Sequence, residues 1–237
     1  MHLDEFGARY SPITECRLTR DPDAWARAKF STVFFGRDKL VAGMKRYSPK
    51  PVHFPITAFG GAENDTAGRR RRAVLCSKMM VAFADGTTGL GGGASSTADP
   101  DAAARHVLRA GVEDPLLKDE VYLLIFKQLT DCVDGPQRGP VWSAYMELLG
   151  FCASTFPPTP ELENWVLQWL REHLRADKDR LHKYVAALHS TKYGAVSRTV
   201  RAIPELRSEW ETRQTSRYSL HDGESSGPSV STSVTPT

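Results

Sequence analysis

The sequence has no uninterrupted apolar run of the roughly 20 residues that a helix needs to cross a lipid bilayer. Its N-terminus also lacks the apolar region of a secretory signal peptide, because Asp4, Glu5 and Arg9 interrupt it. These two absences together predict a cytoplasmic protein.

Residue patterns that carry out chemistry are also missing. No spacing typical of a metal site is found among the histidines, and the nearest pair on one predicted helix, His182 and His189, is two turns apart. The Gly-x-Ser-x-Gly motif of a nucleophilic serine is absent. A glycine-rich run at 89–93 follows a predicted helix and lacks the lysine of a phosphate-binding loop, which leaves nucleotide binding as the less favoured alternative. We expect no enzymatic activity, no metal, no cofactor and no small-molecule substrate.

Cysteines are few and scattered, which favours reduced packing residues over disulfides or zinc ligands. The composition, with 41% hydrophobic and 25% charged residues, is ordinary for a soluble globular protein. A net charge of +3 does not by itself indicate a polyanionic partner, and no nucleic acid is expected. The four cysteines are Cys16, Cys76, Cys132 and Cys152.

Helical periodicity dominates the middle of the sequence. Apolar residues recur at helical spacing over 116–130, directly after Asp114-Pro115, a pair typical of a helix start. A second clear stripe covers 162–174 after Thr159-Pro160. The only candidate strand, 52–59, contains prolines that argue against it. Further helices are predicted at 38–47, 73–84, 100–110 (closed by Gly111), 141–152 and 181–188.

An acidic pair, Asp119 and Glu120, lies early in the helix predicted at 116–130. Paired carboxylates can carry out acid–base catalysis, but no nucleophile or metal-ligand pattern accompanies these two. The favoured interpretation is negative charge that complements the positive end of the helix dipole, with a buried ion pair as an added possibility.

The composition divides the chain into three parts. Residues 1–37 form an N-terminal extension, and 38–210 form a helical domain with a glycine-rich loop at 86–98. Residues 211–237 are rich in serine and threonine and contain almost no large apolar side chain, which predicts a disordered tail.

Five short motifs follow one another through this helical domain. They are Leu-Leu-Lys-Asp-Glu-Val-Tyr at 116–122, Lys-Gln-Leu-Thr at 127–130, Trp142, Glu-Leu-Leu at 147–149 and Phe-Pro-Pro at 156–158. The ordered set resembles the myosin tail homology 4 domain, and the resemblance extends over about residues 38–205. It implies an all-α, compact bundle of about six to ten helices without catalytic activity. In that family the domain commonly stands beside a FERM domain and binds cargo proteins or microtubules.

Two groups of basic residues are candidate partner-binding sites, each with an ordinary solvated surface as the alternative. The first is a run of four arginines in a predicted loop before a helix, where it could contact an anionic surface. The second lies at the end of the 162–174 helix and across the next turn, where the resemblance implies a microtubule-facing patch. The first comprises Arg69, Arg70, Arg71 and Arg72, and the second comprises Arg171, Arg175, Lys178, Arg180 and Lys183.

Within the second group, Arg171, Arg175 and Lys178 are spaced i, i+4 and i+7, so they share a face if the helix extends that far. The sequence thus predicts a cytoskeleton-associated interaction module that binds microtubules or a cargo or partner protein through basic patches. The alternative is an adaptor that binds an anionic membrane surface through Arg69–Arg72. With no motor head or FERM segment in the sequence, we expect a piece of a longer motor or a free-standing module.

Overall fold

The computed structural model of the chain describes residues 47–53, 55–57, 66–89, 99–130, 132, 139–194 and 199–215. Apart from an isolated bridge at Thr57, these ranges contain no strand, and the predicted all-α fold is confirmed. Their seven helices are α1 (Thr66–Thr88), α2 (Pro100–Glu113), α3 (Pro115–Leu129), α4 (Pro140–Ala153), α5 (Pro160–His173), α6 (Lys178–Tyr193) and α7 (Ile203–Thr215).

Four consecutive helices, α2 to α5, begin at a proline. Proline suits the first helical position because its ring fixes φ there and its missing N–H would have had no partner inside the helix. Ahead of two of these prolines, Asp99 and Asp114 accept capping hydrogen bonds from the N–H groups of Asp101 (2.9 Å) and Leu116 (3.1 Å). The predicted Asp-Pro helix starts are therefore confirmed.

Helices α3 and α4 form the centre of the bundle. Every residue of α3 from Glu120 to Leu129 is buried, and α4 buries Trp142 and the whole run 148–153. A helix that is buried on all sides must be surrounded by other helices. Buried phenol groups are satisfied there, since the Tyr122 hydroxyl donates to the Phe156 carbonyl at 2.9 Å and the Tyr184 hydroxyl donates to the Met146 carbonyl at 2.7 Å.

The first two described helices are longer than predicted. α1 runs from Thr66 to Thr88 rather than over 73–84, and α2 continues through Gly111, which was expected to end it. Gly111 serves a close approach rather than a helix end, because a Cβ added to it would lie only 2.3 Å from Cζ of the Phe156 ring.

The predicted glycine-rich loop at 86–98 begins later than expected. Residues 86–88 belong to the last turn of α1, where the Thr87 and Thr88 hydroxyls donate to the carbonyls of Phe83 and Ala84. Gly89 follows with a φ of 66°, a left-handed conformation that glycine adopts without strain. The rest of the predicted loop, 90–98, lies outside the described residues.

A segment before α1 crosses α3 as a strap, which we define as residues 47–53 and 55–57. Its Tyr47 N–H donates to the Thr130 carbonyl (2.9 Å) and its Ser48 N–H donates to Oε1 of Gln128 (3.1 Å). Its other end contacts Glu120, so the strap runs antiparallel to α3. Its three prolines, Pro49, Pro51 and Pro55, have no N–H to donate, and side chains of α3 accept from N–H groups of the other strap residues.

Glu120 fastens the far end of the strap. Its carboxylate is fully buried and accepts hydrogen bonds of 2.7 Å from the N–H groups of Ile56 and Thr57 and from the Thr57 hydroxyl. Burial raises the pKa of Glu120 from 4.5 to about 7, although these three donors pull it down. The suggested buried ion pair is wrong, since among the described residues these partners are backbone and hydroxyl groups rather than a cation.

No helix is predicted for residues 203–215, yet α7 occupies them and continues past the predicted domain end at 210. Its Trp210 covers Gly150, where an added Cβ would meet the indole ring at 2.6 Å. Its Arg207 pairs with Glu147 of α4 (2.7 Å) and Asp101 of α2 (3.0 Å). The buried side chains of Ile203 and Leu206, with Trp210 and an arginine that bridges two helices, thus hold a largely polar helix on the bundle.

The predicted state of the cysteines is confirmed for the three that the structure describes. Cys76, Cys132 and Cys152 are buried and form no disulfide among the described residues, and burial raises the pKa of Cys76 to about 12, so its thiol is unreactive. Cys16, the N-terminal extension 1–37, the helix predicted at 38–47 except Tyr47, and residues 216–237 of the tail lie outside the described residues.

The strap contact predicts an unusual pH dependence of stability. The folded pKa of Glu120 lies above its ordinary value, so between about pH 4.5 and 7 the folded chain keeps a proton that the unfolded chain has lost. The free energy of unfolding should fall across this window by up to about 3 kcal/mol as the pH rises. Urea denaturation of Glu120→Gln should lack this fall, and parallel pH profiles for the two proteins would contradict the assignment.

Candidate functional site

The arginine run Arg69–Arg72 lies within α1 and not in a loop, so the loop prediction is wrong. Arginine is a good helix former, and no proline interrupts the stretch from Arg69 to Asp85. Inside a helix the run is divided, because Arg69 and Arg72, three residues apart, share one side, which leaves Arg70 and Arg71 on the rest of the circumference.

Arg69 and Arg72 turn inward to Asp114, at the junction of α2 and α3. The Asp114 carboxylate is buried, and its Oδ2 accepts from Arg69 Nε at 3.1 Å and from Arg72 Nη2 at 2.8 Å. Its Oδ1 caps α3 through the Leu116 N–H. One carboxylate therefore joins the first turns of α1 to the start of α3, and these two arginines are largely used inside the protein.

Arg70 and Arg71 point outward and belong to a larger positive surface, which we call the basic face. Helices α1 and α2 are antiparallel neighbours that both pack on α3 and α4, so their exposed side chains share the outer side of the pair. Among the described residues, no acidic side chain pairs with any cation of this face. The basic face comprises Arg70, Arg71 and Lys78 of α1 and Arg105 and Arg109 of α2.

The basic face carries a net positive charge in the part of α1 and α2 that the structure describes. Glu113 is the one exposed acid there, while Asp101 is held by Arg207. Cations that outnumber their acidic neighbours produce a positive potential that attracts an anionic partner. Sequence reasoning missed Arg105 and Arg109, although their i, i+4 spacing opposite the buried residues of α2 is a readable signal.

The second predicted patch does not form one helical face. Helix α5 ends at His173, and the chain turns before Asp177 caps α6 by accepting from the Arg180 N–H at 3.0 Å. Arg171, Arg175 and Lys178 therefore lie on a helix end, a turn and the first residue of the next helix. The i, i+4, i+7 prediction is wrong because the helix does not extend through the turn.

Two further members of that patch are engaged with tryptophans. Lys183 is buried, with its Nζ 4.0 Å from the centroid of the Trp210 ring, so its prediction as a surface contact is wrong. The physical reason is α7, the helix that was not predicted, which covers it. Arg180 is half-buried, 5.7 Å from the Trp142 ring centroid, and pairs with Asp177 at 3.5 Å.

Acidic residues balance what remains of that patch. We call this surface the α5–α6 turn and define it as residues 171–179. Arg175 and Lys178 are exposed and Arg171 is half-buried, but three exposed acids lie among them. A mixed surface of this kind has little net field to attract an anion. The three acids are Glu172, Asp177 and Asp179.

The acidic pair considered for catalysis serves the fold. Asp119 accepts from the N–H (2.9 Å) and the hydroxyl (2.6 Å) of Thr159, which fixes the connection between α4 and α5. Glu120 holds the strap, as described above. Within the described ranges, no group of three or more His, Cys, Asp or Glu side chains is placed to hold a metal ion. The described helices also include none that is long and apolar enough to span a membrane.

Comparison with known proteins gives a consistent result. Residues 104–212 match the family model described as "MyTH4 domain". The chain is 29% identical over 175 residues to the high molecular weight form of myosin-1 from Acanthamoeba castellanii. That alignment covers 74% of this chain but 9% of the amoeba protein, so this chain spans a small part of it.

Solved structures of myosin tails share the fold. A mutant of the MyTH4-FERM MF1 domain of Dictyostelium discoideum myosin VII has a TM-score of 0.63 at 18% identity, over 90% of this chain and 39% of that one. The C-terminal MyTH4-FERM domain of human myosin 7b, solved with the harmonin-a PDZ3 domain, has a TM-score of 0.59 at 17% identity, over 81% of this chain and 35% of that one.

The division of the arginine run predicts two distinct effects on stability. Arg69→Ala with Arg72→Ala should lower the free energy of unfolding by about 2 to 3 kcal/mol, because the buried Asp114 carboxylate loses its cations. The matched pair Arg70→Ala with Arg71→Ala should change it by less than about 0.5 kcal/mol. Urea denaturation measures both, and equal losses would contradict the division.

Proposed function

Since the family model, the amoeba myosin and the solved structures agree, this chain contains a MyTH4 domain, and we propose that its basic face is where this domain binds an anionic partner surface. The MyTH4 domain is a protein-interaction domain of myosin tails, not a catalytic domain.

The observation that carries this proposal is the contrast between paired and unpaired charge. The carboxylates of Asp114, Asp119 and Glu120 are committed to arginines, backbone N–H groups and hydroxyls inside the bundle. The five cations of the basic face are exposed without acidic partners in the described part of the chain. Unpaired exposed cations gain energy from an anionic surface without first breaking an internal bond.

The acidic surface of a microtubule is the protein partner that fits this charge. Binding through exposed charges weakens as salt is added, since these charges are screened beyond about 10 Å at an ionic strength near 0.1 M. The proposed microtubule contact is the basic face. It is not the α5–α6 turn, where acids balance the cations. Harmonin accompanies human myosin 7b in its solved structure, which supports a protein-binding role of the fold in general.

An anionic membrane is the second candidate surface, as the sequence suggested for Arg69–Arg72. We infer that Arg70 and Arg71 would make that contact, because Arg69 and Arg72 are held by Asp114. Two exposed apolar side chains near the same face, Leu75 and Leu116, favour this candidate.

Charge reversal distinguishes the two basic surfaces on microtubules. Arg70→Glu with Arg71→Glu should weaken co-sedimentation with polymerised tubulin by about tenfold at low salt, because two attractive charges become repulsive. The matched control, Arg175→Glu with Lys178→Glu, changes the net charge equally at the α5–α6 turn and should reduce binding much less.

Each other result has a definite meaning. A larger loss in the α5–α6 turn variant would place the contact there and reject the basic face. Equal losses would indicate attraction through net charge alone. If the unaltered protein does not sediment with microtubules at low salt, microtubule binding is rejected.

A further inference from the structure

Large apolar side chains are rarely exposed in the described part of this chain. Those that are exposed are Leu75 at 37%, Leu116 at 47% and Tyr193 at 56% of their full accessible area. Single exposed leucines are common on protein surfaces and need no explanation. Leu75 and Leu116, however, both lie at or beside the basic face, so that apolar and positively charged side chains are exposed together there.

Leu75 belongs to the same stripe of α1 as the cations. It follows Arg71 by four residues and precedes Lys78 by three, and all three side chains are exposed. Residues at this spacing lie one above the other on a helix. Leu75 therefore projects outward between two cations.

Leu116 lies beside the same region, on the first turn of α3. Its N–H is capped by Asp114, and Asp114 is bound by Arg72, which precedes Leu75 by three residues on α1. The two leucines thus flank one ion pair, Arg72–Asp114, from opposite helices. Because Leu75 lies three residues after Arg72 and Leu116 two residues after Asp114, this ion pair brings both exposed leucines to one edge of the basic face.

An acidic protein surface would attract the cations, but it would also need apolar sites placed to receive both leucines. An anionic membrane offers both, because phosphate and carboxylate headgroups lie directly above acyl chains. The cations are spread over two helices, and Arg70 and Lys78 alone are separated by about 12 Å along α1. A broad, continuous anionic surface can contact all of them together.

We propose that the basic face docks on an anionic membrane, with its cations among the phospholipid headgroups and with Leu75 and Leu116 inserted between them. The contact is peripheral: the two leucine side chains reach the boundary of the acyl region and no helix crosses the bilayer. This inference rests on the proposed function, because it uses the same basic face, and it names anionic lipid as a surface that this face binds.

Vesicle co-sedimentation tests the inference with phosphatidylcholine alone and with phosphatidylcholine mixed with phosphatidylserine. The protein should bind the mixed vesicles and not the neutral ones. Arg70→Glu with Arg71→Glu should weaken binding to mixed vesicles by about a hundredfold, since each basic residue near such a surface contributes about 1 kcal/mol. Arg175→Glu with Lys178→Glu is the control of equal charge change and should weaken it far less.

The leucines require a second pair of variants. Leu75→Gln with Leu116→Gln keeps the charge and the helix propensity and should weaken binding to mixed vesicles by about tenfold, through lost apolar contact. It should leave co-sedimentation with microtubules unchanged. Tyr193→Gln removes an exposed apolar side chain from the end of α6, away from the basic face, and serves as the matched control.

The outcomes separate the inference from the proposed function. If the leucine variant binds mixed vesicles as well as the unaltered protein, or if vesicles are not bound while microtubules are, the membrane inference fails and the basic face remains a protein-binding surface. If Arg70→Glu with Arg71→Glu affects neither partner, the basic face itself is wrong. Circular dichroism and urea denaturation of every variant show that a loss of binding is not a loss of folding.

Discussion

Three carboxylates near the start of α3 hold the surrounding parts of the bundle in place. Asp114 binds the first turns of α1, Asp119 binds the connection between α4 and α5, and Glu120 binds the strap. Each accepts at least two hydrogen bonds from another part of the chain, so the most buried helix is also the one that positions its neighbours. Carboxylates that could suggest acid–base chemistry instead accept hydrogen bonds from arginines, hydroxyls and backbone N–H groups inside the fold.

The pairing of these carboxylates inside the bundle determines which cations remain exposed on the surface. Because Asp114 engages Arg69 and Arg72, the arginine run is divided, and only Arg70 and Arg71 remain available outside. The outer side of α1 and α2 is left with an excess of positive charge, whereas the α5–α6 turn has charges of both signs. The position of the proposed binding surface thus follows from which cations the acidic residues bind, and the overall net charge of +3 gives little indication of it.

The parts of the fold that the sequence predicted correctly are those set by neighbouring residues. The Asp-Pro starts of α2 and α3 and the apolar stripe of α3 depend on residues within one or two turns. Contacts between distant residues were not predictable: Asp114 lies 42 positions from Arg72, so nothing local marks Arg72 as its partner. The same applies to α7, whose apolar residues are few and which is held by Ile203, Leu206 and Trp210 and by ion pairs to α2 and α4. Missing α7 also led to Lys183 being expected on the surface.

Measuring the stability of Asp119→Ala tests most directly whether the acidic residues of α3 are structural. Urea denaturation at neutral pH should show a loss of about 2 to 3 kcal/mol in the free energy of unfolding, because two hydrogen bonds from Thr159 lose their charged acceptor. The matched variant Asp179→Ala, in the exposed first turn of α6, should lose less than about 1 kcal/mol. Full stability of Asp119→Ala would contradict a structural role for this carboxylate.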